Sequence, residues 1–476
     1  MDGEESRMIS GTHPQQTAPA AKLPQYLITL AVTTVVFAGG TVIGWSSPAL
    51  PELMSPNSTL AITPHQGSWI GSLLNVGAFV GALPAGSLAD LIGRKTTIMI
   101  MAIPQLLSWI LIYFAQSANM LYVGRLIGGL GLGALSSTAP MYVAEIAEDS
   151  IRGALGSAFQ FMLVVGILYT YILGALVHYT LLPILCGVIN IIFLIVFFRA
   201  PESPVYLLKK GRQIQAEAAL RVLRGPDYNV RKELNLIEKS LSESSAKKLS
   251  FVQALGKRAN LLAMIICLGM MVFQQLSGIN IVIFYSGTIF KDAGSSLDPA
   301  IATIIVGLSQ VVSTVVSASL IDKAGRKILL QFSGTVMAIC LTVLGYYFHL
   351  KTKGSDVSSL GMMPLVSVVL YILVFAVGFG PIPWMICGEM LSPEIKGPGT
   401  GIACAMNWLL AFAVTKAFQP LSEAVGPAGT YWIFAVICVI GFFFVTFVVV
   451  ETKGKSISEI QEILSGRKKR TGNNVV

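Results

Sequence analysis

Twelve separate stretches of about 20 predominantly apolar residues, each long enough as a helix to cross a bilayer, constrain this chain more than any other feature it has. They fall near 27–46, 67–88, 97–116, 121–142, 155–177, 178–198, 260–289, 299–321, 328–348, 362–386, 398–419 and 429–450. Hydrophobic residues make up 54% of the 476 and charged residues only 12%, with a mean hydropathy of +0.72, more apolar surface than a water-soluble globule can hide. The expected class is an all-α membrane protein with twelve transmembrane helices.

The net charge of +9 points to nucleic acid only if the basic residues cluster on one soluble face. They do not. With both termini in the cytoplasm, only Arg125, Lys291, Lys351, Lys353 and Lys416 fall in outer loops or outer helix ends, which leaves 28 of the 33 Lys and Arg on the cytoplasmic side, the positive-inside pattern. The expected location is therefore the cell membrane, multi-pass, with both termini cytoplasmic. Residues 1–25 hold Asp2, Glu4 and Glu5 and no apolar core, so a cleavable leader is not expected. The six cysteines lie in or at the ends of spans, and free packed thiols are expected rather than a disulfide framework. The sequon Asn57-Ser58-Thr59 falls in the first outer loop, which makes Asn57 a candidate glycosylation site.

The chain reads as two halves. A tail (1–25), a six-helix unit (26–198), a cytoplasmic helical linker (199–258), a second six-helix unit (259–450) and a second tail (451–476) are expected, and the linker holds 13 Lys or Arg. Asp90-Leu-Ile-Gly93-Arg94-Lys95 returns 232 residues later as Asp322-Lys-Ala-Gly325-Arg326-Lys327. Glu145, seven residues before Arg152-Gly153, is echoed by Glu389 before Lys396-Gly397, and Glu202-Ser203 by Glu451-Thr452. Such ordered repetition implies a duplicated unit, an arrangement that places a substrate site between repeats near the midplane. The spacing pairs Arg94 with Glu145 and Arg326 with Glu389. With Arg152, these form a candidate cytoplasmic latch for an outward-facing state; the alternative is that the cations enforce topology. The glycines of Gly124-Arg125-Leu-Ile-Gly128-Gly129-Leu-Gly131-Leu-Gly133 suit close helix contact and do not form a nucleotide loop, because no strand precedes them.

With Pro140-Met-Tyr-Val-Ala-Glu145, Pro201-Glu202-Ser203-Pro204, Gln274-Gln275-Leu-Ser-Gly278-Ile-Asn280, Gly380-Pro381-Ile-Pro383-Trp384 and Glu451-Thr452-Lys453-Gly454, these motifs resemble the sugar porters of the major facilitator superfamily over about residues 25–460. The first-span text from Gly40 to Leu50 is most similar to that of arthropod facilitated trehalose transporters. The resemblance implies a two-half fold and sugar binding by Gln160, Gln274, Gln275, Asn280 and Asn407, with Gln310 where hexose carriers have Asn. Amides both donate and accept hydrogen bonds without burying a charge. Trp384 is the expected plate for the C–H face of a sugar ring, and Phe284 and Tyr285 the expected outer gate. Ala376 stands where many relatives carry Glu, and Val450 replaces a usual Pro.

Where proton-coupled sugar porters place an Asp in the first span, this chain has Ser46, and no Asp or Glu lies well inside any apolar stretch. Passive uniport of a neutral sugar, trehalose or a hexose, is the expected function; a proton symporter and a non-transporting sugar sensor are the alternatives. The expected partners are a small sugar and membrane lipids, the latter through the basic run Arg467–Arg470. Neither nucleic acid, metal, cofactor nor catalytic residue is expected.

Overall fold

A computed structural model describes residues 19–148, 150–246, 251–294 and 297–466. Glu4-Glu5 and the basic run at 467–470 lie outside them. Ten helices are long and apolar enough to span a membrane; the shorter apolar helix Leu182–Phe197 and a division of Lys396–Phe447 at Gly426, where φ is 77°, bring the crossings to twelve. In chain order they are α1 (Leu23–Leu53), α2 (Pro64–Ile92), α3 (Arg94–Tyr113), α4 (Ala118–Ile146), α5 (Arg152–Leu176), α6 (Leu182–Phe197), α7 (Arg258–Ala293), α8 (Pro299–Ala324), α9 (Arg326–Thr352), α10 (Ser358–Met390), α11 (396–425) and α12 (427–447). The described residues contain no strand, as expected where a lipid-facing backbone must satisfy its own hydrogen bonds.

Three crossings are broken where their sequence removes a helical hydrogen bond. In α1 the helix restarts after Trp45, because Pro48 has no N–H to offer the Gly44 carbonyl. In α7 it breaks at Ser277-Gly278, where Gly278 takes φ 89°, a left-handed conformation that glycine adopts without a Cβ penalty. In α10 it stops at Val377 and restarts at Ile382; Pro381 and Pro383 deprive the carbonyls of Val377 and Phe379 of their usual donors.

Within each half, glycine sets how closely the helices approach. A Cβ on Gly77 or Gly81 of α2 would overlap the carbonyls of Leu126 and Leu130 in α4, and one on Gly129 or Gly133 those of Leu74 and Ala78. Lipid offers little hydrophobic drive between helices, so such backbone contact is the main packing term.

Residues 19–22, the described part of the linker and residues 451–466 lie at one end of the bundle, the linker end. Helix Gln213–Arg224 packs beneath the first half: the buried Arg224 donates Nη1 to the Ile146 carbonyl at 2.8 Å and pairs with Glu233 at 2.7 Å, while Ala21 N–H reaches the Arg224 carbonyl at 2.8 Å. Helix Ile457–Ser465 buries Ile460 and Leu464 under the second half, and Gln461 donates to the Met390 carbonyl.

Adding a β-branched side chain between α2 and α4 is expected to cost about 1–3 kcal/mol through overpacking. Gly133→Val should lower the melting temperature of detergent-solubilised protein, whereas Gly86→Ala, which meets nothing within 4 Å, should not; equal melting of the two variants would mean that the α2–α4 contact does not limit stability.

Candidate substrate site

The helix breaks in α7 and α10 meet each other. The Phe379 carbonyl, orphaned by Pro383, accepts a hydrogen bond from Gln274 Nε2 at 2.7 Å, and the Gly380 carbonyl accepts from the same nitrogen at 2.8 Å. From there a chain of amides runs across the second half. Asn407 Nδ2 of α11 donates to Gln274 Oε1 at 2.6 Å, Gln275 Nε2 donates to Asn407 Oδ1 at 2.7 Å, and Asn280 Nδ2 donates to Gln275 Oε1 at 2.5 Å. Gln274, Gln275 and Asn407 are buried and Asn280 half-buried. Tyr371 donates to the Ser277 carbonyl at 3.0 Å and so holds the α7 break from behind.

Four of the seven residues expected to bind substrate are thus joined directly, all in the second half. The other three stand apart from this chain of bonds among the described residues. Gln310 is buried on α8 and Gln160 half-buried on α5, while Trp384, on the linker side of the α10 break, is 37% exposed.

The two halves touch toward the far end. Ser47 Oγ meets Ser286 Oγ at 2.7 Å, Tyr171 donates its hydroxyl to the Ile283 carbonyl at 2.7 Å, and Asn75 Nδ2 donates to Thr415 Oγ1 at 3.4 Å. Lys416 Nζ sits 4.2 Å from the centroid of the Trp69 ring and 3.4 Å from Ser68 Oγ. Phe284 and Tyr285 are buried in this closure, with the Tyr285 hydroxyl against Gly71. The hydrogen bond between halves nearest the linker end is Ser137 to Cys404 at 3.8 Å, at mid-depth. Beyond it no hydrogen bond or ion pair joins the halves among the described residues, and Cβ atoms built on Gly153, Gly156, Gly388, Gly397 and Gly401 meet nothing within 4 Å. The far end is closed and the linker end open.

The expected latch residues occupy two equivalent clusters. Arg94 holds Glu145 through Nε and Nη2, each at 2.9 Å, and Asp90 through Nη1 at 2.8 Å; Ser203 donates to the same Glu145, and Glu202 Oε1 caps the start of α3 by accepting from the N–H groups of Arg94 and Lys95 at 3.0 Å. In the second half Arg326 pairs with Glu389 at 2.9 Å, Thr452 donates to Glu389 at 2.5 Å, and Glu451 accepts from the N–H groups of Arg326 and Lys327. Neither ion pair crosses between halves: each ties together helices of one half and is formed with the linker end open. Arg152 Nη2 reaches the Ala147 carbonyl at 3.5 Å, also within its half.

Two residues expected at outer helix ends are placed otherwise. Arg125 is fully buried: it donates to the carbonyls of Ile70 at 3.1 Å and Val42 at 2.5 Å and to Ser46 Oγ at 2.8 Å, and lies 5.3 Å from the Trp45 ring centroid. No carboxylate pairs with it among the described residues. Lys416 is half-buried between halves rather than in a loop. The signal was available for Arg125: its 0% exposure follows from standing seven residues inside α4, flanked by Gly124 and Gly128.

The chain matches the family model described as "Sugar (and other) transporter" over residues 32–464. It belongs to this family of membrane transporters. Among curated relatives, a protein named facilitated trehalose transporter Tret1-2 homolog from Drosophila simulans is 39% identical over 97% of this chain and 96% of its own length. Facilitated trehalose transporter Tret1 from Aedes aegypti is 40% identical over 95% of this chain and 57% of its own. Among solved structures, the inward-open conformation of the xylose transporter XylE from E. coli aligns with a TM-score of 0.78 at 25% identity, covering 92% of this chain and 99% of that one. XylE described as a proton:xylose symporter of the major facilitator superfamily, bound to 6-bromo-6-deoxy-D-glucose, aligns at 0.75 and 26% with the same coverages. The fold is therefore the twelve-helix major facilitator fold, and the open linker end agrees with the inward-open relative.

Outside the spans, burial raises the Glu451 carboxyl's pKa, but the N–H groups of Lys453, Lys327, Arg326 and Thr452 outweigh it and hold the group below its ordinary 4.5. A depressed folded pKa gives stability that is present above the unfolded value and lost as pH falls through the folded one. The melting difference between wild type and Glu451→Gln should therefore be largest near neutral pH and close on acidification below 4.5; a difference that persists in acid would show that the carboxylate is not what caps α9.

Proposed function

We propose that this protein carries a neutral sugar passively across the membrane by alternating access, with trehalose the first candidate and a hexose the second. The observation that carries the reading is the amide chain from Asn280 to Gln274, set at two helix breaks beneath a closed far end. A sugar hydroxyl donates and accepts, so it can replace one amide partner by another with little net loss of hydrogen bonding. Gln160 and Gln310 from neighbouring helices and the exposed Trp384 complete the pocket when the halves rearrange, and Phe284 and Tyr285 gate it. The names of the curated relatives support trehalose and facilitated transport.

Uniport is supported by Arg125. Its guanidinium is held by two carbonyls, the hydroxyl of Ser46 and a Trp ring, none of which titrates in the physiological range. A second reading, proton symport, draws on the XylE structures, one of which is described as a proton:xylose symporter.

The linker end and both termini are assigned to the cytoplasm of a cell-membrane protein by the distribution of Lys and Arg, with the exposed Asn57 in the opposite loop as a glycan acceptor. Expression in insect cells should give a band that shifts on endoglycosidase treatment, and Asn57→Gln should abolish the shift; an unmodified Asn57 beside a modified engineered sequon in the linker would reverse the orientation.

Uptake of labelled trehalose and glucose into oocytes, measured at two external pH values, tests the function. Saturable, pH-insensitive flux that is lost in Gln274→Ala/Gln275→Ala is expected. Stimulation by external acid, with accumulation abolished by an uncoupler, would replace uniport by symport; absence of flux from surface-expressed protein would remove the carrier reading.

A further inference from the structure

On the far side of the closed gate, a cavity of about 140 Å³ lies between the halves. Tyr285 forms its floor, and Asn280, the first amide of the central chain, is five residues below, about 7.5 Å along the helix axis. Two aromatic pairs bound the space. Phe348 and Tyr431 stack with centroids 5.4 Å apart and planes at 22°, and Tyr285 and Phe418 lie 5.5 Å apart at 32°. Asp292 and Gln419 line the same wall from the second half, and Ser68 closes it from the first. The Thr288 hydroxyl, also on this wall, is buried without a hydrogen-bond partner among the described residues.

We propose that this vestibule is a second sugar site, which takes one pyranose ring from the far side while the central gate is shut. The inference rests on the carrier reading. Aromatic faces suit the C–H faces of a pyranose, and a carboxylate, an amide and hydroxyls at the rim suit its hydroxyl groups. The volume falls below the roughly 300 Å³ of ordinary small-molecule pockets, which fits a single ring and leaves the second ring of a disaccharide projecting outward. The floor explains the placement: when Tyr285 withdraws, the bound ring is already less than two helical turns above Asn280. Because the site lies outside the amide chain, it survives when the chain is destroyed.

Saturation-transfer NMR with D-glucose as the probe, on purified full-length protein in detergent, separates the two sites. A Gln275→Ala/Asn407→Ala variant should lose flux yet keep a saturable glucose signal, and adding Phe418→Ala should abolish that remainder. Since Phe418→Ala removes packing, Gln275→Ala/Asn407→Ala/Asp292→Asn serves as a second test and should weaken the signal severalfold at unchanged melting temperature. A folded central-site variant with no glucose signal, or a residual signal indifferent to both vestibule substitutions, overturns the second site while wild-type flux keeps the carrier reading. Wild-type protein with neither flux nor binding removes both.

Discussion

A backbone carbonyl that loses its helical donor inside a bilayer must find another, because no bulk water is there to supply one. The structure turns on how this chain meets that demand at Phe379. Pro383 removes the donor, Gln274 replaces it, and Gln274 is in turn held by Asn407, then Gln275, then Asn280. The same residues that make broken helices tolerable therefore present a row of exchangeable hydrogen bonds at mid-depth. Closing one break against another also explains why the amides come from α7 and α11 while the prolines are in α10. On the proposed reading the substrate site and the structural repair are one object, and a sugar that enters it competes with the protein's own amides rather than with water.

The two halves divide the remaining work. Each linker-end cluster, Arg94–Glu145 with Glu202 and Arg326–Glu389 with Glu451, joins helix ends inside a single half. Ion pairs with partial exposure contribute modestly to stability, but here each is bidentate or reinforced by a hydroxyl and a helix-start carboxylate. They stiffen each half as a body. Motion is left to the interface, where the polar contacts are chemically mild: hydroxyl to hydroxyl at Ser47–Ser286, amide to hydroxyl at Asn75–Thr415, cation over ring at Lys416–Trp69. Contacts of that kind exchange for solvent at low cost, as the proposed alternating access requires.

Much of this was legible in the sequence. Span lengths, the Gly-Arg-Lys repeat and the amide-rich text of the seventh span are local signals, and the helices, the duplicated clusters and the placement of Gln274, Gln275 and Asn280 follow from them. What the amides bond to was not legible, because Gln275 and Asn407 are separated by 132 residues and only packing brings them together. Nor was the closed end: that Tyr285 is buried and Trp384 partly exposed is decided by how the two halves pack on each other, which no local stretch of sequence encodes. Arg125 was misplaced for a different reason. Counting charges by side of the membrane treats every cation near a helix end as solvated, whereas seven residues of helix carry this one about 10 Å inward, where backbone carbonyls replace water.

That buried guanidinium bears directly on coupling. A charge inside the membrane is tolerated only with compensation, and the usual solution, an opposing carboxylate, brings a group that titrates when its surroundings change. Here the compensation is dipolar. The carbonyls of Val42 and Ile70, the Ser46 hydroxyl and the Trp45 ring surround Arg125, and three of the four belong to α1 at its break. Arg125 therefore pins α1 to α2 and α4 through dipoles rather than through a carboxylate. On the proposed reading, compensation by dipoles leaves no titrating acid beside Ser46 among the described residues, which is what uniport of a sugar down its own gradient calls for.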